Sequence, residues 1–178
     1  MVPLAAVHPA AIVESRVVGP GAKIGAYARV GPEVEIIGPC EIGEQTLLEG
    51  RIRIAAGVEI GCQGYLRGPL EIEAGVSVGA RCCIDGGGET AIVVGEGAAI
   101  GANVTIWPGI TIGERARVEP GSVVSKDVPA MSVVAGNPAQ IAGYCGVRSA
   151  PPSIHAVASA EITETSIRGV TLRRAHDL

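Results

Sequence analysis

Aliphatic residues recur at every sixth position, from Ile12 through Val18, Ile24, Val30, Ile36, Ile42, Leu48, Ile54, Ile60, Leu66, Ile72 and Val78 to Ile84. After Ile84 the next in-phase residue is Val94, followed by Ile100, Ile106, Ile112, Val118 and Val124, so four extra residues enter near Gly86-Gly87-Gly88-Glu89. A period of six matches neither a helix nor a simple alternating strand, and a fixed self-similar period marks a repeat architecture before anything else.

The residue two places before each aliphatic is also small or apolar, as at Ala22, Ala28, Val34, Cys40, Thr46, Val58, Val76, Cys82, Ala98, Val104 and Ala116. In a strand, residues two apart share a face and the one between them points away. Each unit therefore reads as one short strand with two inward side chains. Glycine often follows the aliphatic (Gly19, Gly25, Gly31, Gly43, Gly61, Gly79, Gly95, Gly101, Gly113), as a corner with positive φ or a close backbone approach requires. Three such units make one triangular coil, and coils stack at the strand spacing of about 4.8 Å. The fold class is all-β, a parallel β-helix. Hydrophobic residues make up 47% of the chain while aromatics are only 2%, with no Phe, which suits a narrow prism filled by Ile, Val and Ala.

The formal net charge of −4 leaves no basic footprint for nucleic acid. No apolar run is long enough to span a membrane and no charged leader precedes an apolar core, so the expected compartment is the cytoplasm. Cys40 and Cys82 belong to different faces and cannot meet, Cys62 and Cys83 point outward, and no Cys-x-x-Cys occurs. These features favour reduced thiols over a disulfide frame or a zinc site.

Assigning every third unit to one face gives three stacks. The first holds Ile12, Val30, Leu48, Leu66, Ile84, Ile106 and Val124; the second Val18, Ile36, Ile54, Ile72, Val94 and Ile112; the third Ile24, Ile42, Ile60, Val78, Ile100 and Val118. The outward residues of the second include Glu35, Arg53 and Glu71, and those of the third Lys23, Glu41, Glu59 and Arg117. On the first face they read Leu47, Tyr65, Cys83, Thr105 and Val123. An uncharged strip over several coils is an interface candidate, and a closed cyclic assembly would bury it; the tail folding back over it is the alternative. Residues Met1 to Ala10 read as an irregular lead-in, with His8 as a cap over the first coil.

The register also locates a candidate site. Gly31, Glu49, Arg67, Asp85 and Trp107 follow the first stack at successive coils, so Arg67, Asp85 and Trp107 fall side by side on one edge, from which the inserted loop with Glu89 also leaves. A carboxylate there can take a proton from an amine, Arg67 can pair with a phosphate or hold Asp85 ionised, and Trp107 can stack on a flat ring. The bland reading is a surface Arg–Asp pair and a tryptophan covering the loop. The glycine run could form an anion nest, but no Gly-Lys-Ser/Thr follows, and a flexible turn against a neighbouring subunit fits better.

The run Gly101-Ala102-Asn103-Val104-Thr105-Ile106-Trp107-Pro108-Gly109-Ile110-Thr111-Ile112-Gly113, with the later Lys-Asp-Val-Pro and Gly-Asn-Pro-Ala segments, resembles the hexapeptide-repeat acyltransferases. Among them it is most similar to the acetyl-CoA-dependent N-acetyltransferases of nucleotide-linked, dTDP-type deoxy amino sugars. The resemblance covers Val7 to Tyr144. It implies a left-handed β-helix, an exception to the right-handed crossover rule, in a homotrimer with active sites between adjacent subunits. In that frame Asp85 and Glu89 are the catalytic candidates, and Tyr65, Arg67 and Trp107 face the acceptor. Gly101 and Ala102 offer backbone amides to the thioester and pantetheine of acetyl-CoA, and Lys126 approaches a phosphate. No metal is implied.

Two departures stand out. The only histidines are His8, His155 and His176, outside the coils, so catalysis by a coil histidine is excluded, and with it the three-histidine zinc site of the carbonic anhydrases built on this helix. The excursion loop is also short. A sugar O-acetyltransferase and a non-catalytic trimerisation scaffold are the alternatives. The domain limits read as 1–144 for the β-helix and 145–178 for a linker and tail. The alternating stretch Ile162 to Arg174 resembles the first strand of the cupin-type sugar-nucleotide 3,4-ketoisomerases, or serves as a docking strand.

Overall fold

The computed structural model describes residues 4–87 and 89–146. The predicted linker and tail from 147 onward, including the stretch Ile162 to Arg174, His155 and His176, lie outside them. Twenty-two short strands, and no helix among the described residues, wind into a parallel β-helix. Its three sheets hold seven, six and nine strands. The first face pairs Leu48 with Leu66, Leu66 with Ile84, Ile84 with Ile106 and Ile106 with Val124. The second pairs Ile36 with Ile54, Ile54 with Ile72, Ile72 with Val94 and Val94 with Ile112. The third runs from Ile24 through Ile42, Ile60, Val78 and Ile100 to Val118. The four-residue insertion is absorbed between Ile84 and Val94 without disturbing either stack.

From Ala22 onward both inward positions of each unit are buried, whereas Val13 and Val18 in the first coil are only partly so. Ala22, Ala28, Val34, Val58, Val76, Ala98, Val104 and Ala116 stand at 0–1% exposure beside the larger aliphatics. Each buried Val, Leu or Ile contributes about 1.5–3 kcal/mol, and one column of such side chains per face forms a continuous core. Thr46, Ser122 and Ser132 are the buried polar side chains among the described residues; the Thr46 hydroxyl donates to Gly61 O at 2.8 Å and accepts from Gly64 N at 3.3 Å.

Three expectations need correction. Ile12 points outward and is 57% exposed, paired with Arg29, while Val13 takes its inward place opposite Val30. The unit from Val13 to Val18 is one residue short. Ser15 spans it, its hydroxyl accepting from Val17 N at 3.1 Å and donating to Val34 O at 2.6 Å. The N-terminal lead-in is not irregular throughout, since Ala6–Val7 pairs with Lys23–Ile24 as the first strand of the third face. His8 is exposed and accepts from Ala10 N at 3.1 Å through Nδ1. The third concerns the six-residue count, whose last in-phase aliphatic is Val124 although the third face runs on beyond it. Ser132–Gly136 joins the third face beside Arg117–Val118 and turns back on Ala139–Tyr144 as an antiparallel hairpin.

The glycines after the aliphatics do not adopt positive φ. Close approach explains them: a Cβ on Gly43 would lie 2.5 Å from Cys62 N, and one on Gly113 would lie 2.3 Å from Ala130 N. Left-handed residues occupy the third position after the aliphatic instead, with Gly at 57, 75 and 97 and non-glycines at Tyr27, Gln45, Gln63, Arg81 and Asn103.

Candidate functional site

The uncharged strip forms as the register requires. Leu47, Tyr65, Cys83, Thr105 and Val123 are direct partners on successive strands. Strand alternation sends them outward, while Leu48, Leu66, Ile84, Ile106 and Val124 go to the core. Tyr65 is half-buried between Leu47 and Cys83.

Along the edge where the first face turns into the second, Glu49, Arg67 and Asp85 stand in register, with Trp107 next in the column and 55% exposed. Arg67 and Asp85 form no ion pair, so the arginine does not hold the carboxylate. Asp85 Oδ1 instead accepts Gly87 N–H at 3.0 Å, a short side-chain-to-backbone turn that sets the exit of the loop. Gly86 N–H donates to Arg67 O at 2.8 Å and Ile92 N–H to Pro69 O at 3.0 Å, so the loop leaves and re-enters on the coil below. A Cβ at Gly86 would fall 2.6 Å from Pro69 O, so this position has no room for a side chain. At the other end Thr90 packs over Gly109, where a Cβ would be 3.5 Å away. Glu89 is exposed. Sequence reasoning took Gly86 only as part of a flexible glycine run and missed Thr90, because their partners lie on neighbouring coils.

Gly101 and Ala102 occupy the opposite edge, where the third face turns into the first. Gly101 N–H donates to Val118 O at 2.8 Å and Ala102 O accepts from Gly121 N at 2.9 Å, but Ala102 N–H has no protein partner among the described residues. Lys126 returns to the edge of Trp107. It is exposed and borders a hollow completed by Val134, Pro138, Ala139 and Ile141 of the hairpin, while its neighbour Asp127 accepts Thr111 N–H at 2.8 Å through Oδ1. Within one chain, then, the structure sets Arg67 and Asp85 on one edge with Trp107 next in the column, leaves Glu89 exposed on the loop that starts there, and separates that edge from Gly101 and Ala102 by the width of the first face. No set of three potential metal ligands gathers among the described residues, and no described helix is long and apolar enough to cross a membrane.

Burial, followed by the charge of Glu41, pushes the Cys40 thiol up to about 11. Burial also raises the Cys82 thiol, whose Sγ donates to Gly101 O at 3.1 Å. All five cysteines are free.

Residues 91–126 match the model of the family described as bacterial transferase hexapeptide (six repeats). A stretch of 52 residues, 29% of this chain and 27% of the relative, is 52% identical to dTDP-3-amino-3,6-dideoxy-alpha-D-galactopyranose 3-N-acetyltransferase of Aneurinibacillus thermoaerophilus. A stretch of 48 residues, 27% of this chain and 15% of the relative, is 60% identical to serine acetyltransferase 2 of Arabidopsis thaliana. The chain thus spans well under a third of either relative. The fold is similar to a mutant of AntD, an N-acyltransferase from Bacillus cereus in complex with dTDP and coenzyme A, at a TM-score of 0.58 and 17% identity over 80% of this chain and 81% of that one.

Proposed function

We propose that this chain is an acetyl-CoA-dependent acyltransferase that acetylates the amino group of a nucleotide-linked, dTDP-type deoxy amino sugar, acting as a homotrimer. The observation that carries the reading is the division of one chemical apparatus between two edges. An unpartnered amide at Ala102 lies on one edge, and a carboxylate, a guanidinium and an exposed indole lie on the other. Between them runs the uncharged strip. Packing that strip against neighbouring copies brings the Ala102 edge of one subunit to the Asp85 edge of the next, so each complete site takes residues from two subunits.

In that site the fixed Ala102 N–H stabilises the oxyanion that forms when the amine attacks the thioester carbonyl. Small residues at 101 and 102 leave room for the thin pantetheine arm, and Lys126 meets a phosphate of coenzyme A. Asp85, or Glu89 from the loop, accepts the proton that the amine must lose. Arg67 faces the nucleotide phosphates, while Tyr65 and Trp107 supply flat surfaces for the sugar and base. The name of the sugar 3-N-acetyltransferase relative supports the amine; that of the serine acetyltransferase supports a hydroxyl acceptor as the second reading. Mass spectrometry after incubation with acetyl-CoA and a panel of amino-sugar and hydroxyl-bearing sugar nucleotides decides between them. One added acetyl group on an amino sugar is expected. Acetylation of a hydroxyl member alone selects the second reading, and a protein that neither binds acetyl-CoA nor modifies any member is a scaffold.

A further inference from the structure

The amide of Ala102 belongs to a column. At the corner joining the third face to the first, the second residue after each inward aliphatic includes Cys62, Ala80 and Ala102, none of whose N–H groups has a protein partner among the described residues. Proline stands at two further positions of this column, Pro9 and Pro120, where there is no N–H to offer. Each amide nitrogen rests on the glycine of the preceding coil. A Cβ would lie 2.6 Å from Ala80 N if placed on Gly61, 2.5 Å from Ala102 N if placed on Gly79, and 2.6 Å from Pro120 N if placed on Gly101.

We propose that Gly79 is a positioning residue: its bare Cα sets where the Ala102 N–H stands, and this N–H is the last one left without a partner in the column, since Pro120 has none and Gly136 N–H, next in register, donates to Ser122 Oγ at 3.2 Å. The role rests on the acetyltransferase reading above. A methyl group at residue 79 cannot stay 2.5 Å from a backbone nitrogen when ordinary contact begins at 3.4 Å. The backbone must give way by up to the difference, 3.4 − 2.5, or 0.9 Å, and the part of it taken up by Ala102 carries its N–H outward. Displacing a catalytic group by about 1 Å costs on the order of 10²-fold in rate.

The coil before provides the control, because Gly61→Ala makes the same clash against Ala80. Thermal melting should drop by similar amounts in Gly79→Ala and Gly61→Ala. With the acceptor that the wild-type protein acetylates, kcat should fall about 10²-fold in Gly79→Ala and stay within about threefold in Gly61→Ala. Equal kcat values for the two variants overturn the proposal. Should Gly79→Ala not fold, Ala102→Pro and Ala80→Pro each delete one N–H at a corner position that already holds proline at 120. Loss of about 10²-fold in the first alone is then expected, and equal losses overturn the proposal. Wild-type protein that binds no acetyl-CoA on calorimetry removes the functional reading and this inference together. Bound acetyl-CoA with indistinguishable variants removes the inference only.

Discussion

Replacing Asp85 by asparagine separates two jobs that one carboxylate could perform. Asp85 Oδ1 accepts the Gly87 N–H at 3.0 Å and so fixes the mouth of the loop. An asparagine carbonyl oxygen accepts the same hydrogen bond but is not basic enough to take a proton from an amine. A hydrogen bond to a carboxylate contributes about 1.5–3 kcal/mol and one to a neutral amide oxygen about 0.5–1.5 kcal/mol, so Asp85→Asn weakens the anchor by about 1–1.5 kcal/mol and alters the population of the ordered loop by roughly tenfold. A general base contributes about 10²–10⁴-fold, or about 2.7–5.4 kcal/mol at 1.36 kcal/mol per decade. The two ranges barely touch. Steady-state assays following coenzyme A release, with acetyl-CoA affinity measured by calorimetry, should show kcat reduced 10²–10⁴-fold in Asp85→Asn with affinity unchanged, and reduced up to tenfold further in Asp85→Ala. If Asp85→Asn loses no more than about tenfold in kcat, Asp85 is only the anchor. If Glu89→Gln is then unimpaired, no carboxylate is the base and the site works by holding an already neutral amine.

Three other outcomes follow from the same structure. Leu47→Glu together with Val123→Glu should bury unpaired charge in the strip at a cost of several kcal/mol and lower the mass seen by light scattering, while in the wild type Cys83 should resist thiol labelling that Cys62 undergoes quickly; an unchanged mass and equal labelling would mean that the first face is not the interface. Gly43→Ala, whose Cβ would lie 2.5 Å from Cys62 N, should destabilise more than Gly75→Ala, which meets nothing within 4 Å but has φ +66°: about 3 kcal/mol or more against about 1–2 kcal/mol, and denaturant melts giving the reverse order would refute the close-approach account. Burial raises the folded pKa of Cys40 to about 11 from an ordinary value near 9.0, so its contribution to stability is complete below pH 9 and is lost as pH climbs toward 11, by on the order of 2 kcal/mol; a stability–pH curve that is no flatter over this window in Cys40→Ala would refute that assignment.

Much of this protein follows from its sequence because a six-residue period is a local property repeated along a line. It sets which side chain of each unit enters the prism, and modulo three it sets which face each unit joins. Tyr65, Cys83 and Thr105 could therefore be aligned on one face, and Arg67, Asp85 and Trp107 on one edge, by counting alone. Acting through the same period, the sequence also located the loop between Ile84 and Val94. Tertiary structure decided what depends on contacts between coils. It chose close approach over positive φ for Gly43 and Gly79, because the atoms that would collide belong to residues about one coil further along the chain. It turned Ile12 outward, because Ser15 could bridge a unit one residue short. It continued the third face into the hairpin at Ser132–Gly136 and Ala139–Tyr144, where the longer strands carry no six-residue signature. Which edge a residue occupies can be counted from the sequence, but that Ala102 N–H is left without a partner is decided only when all the coils are in place.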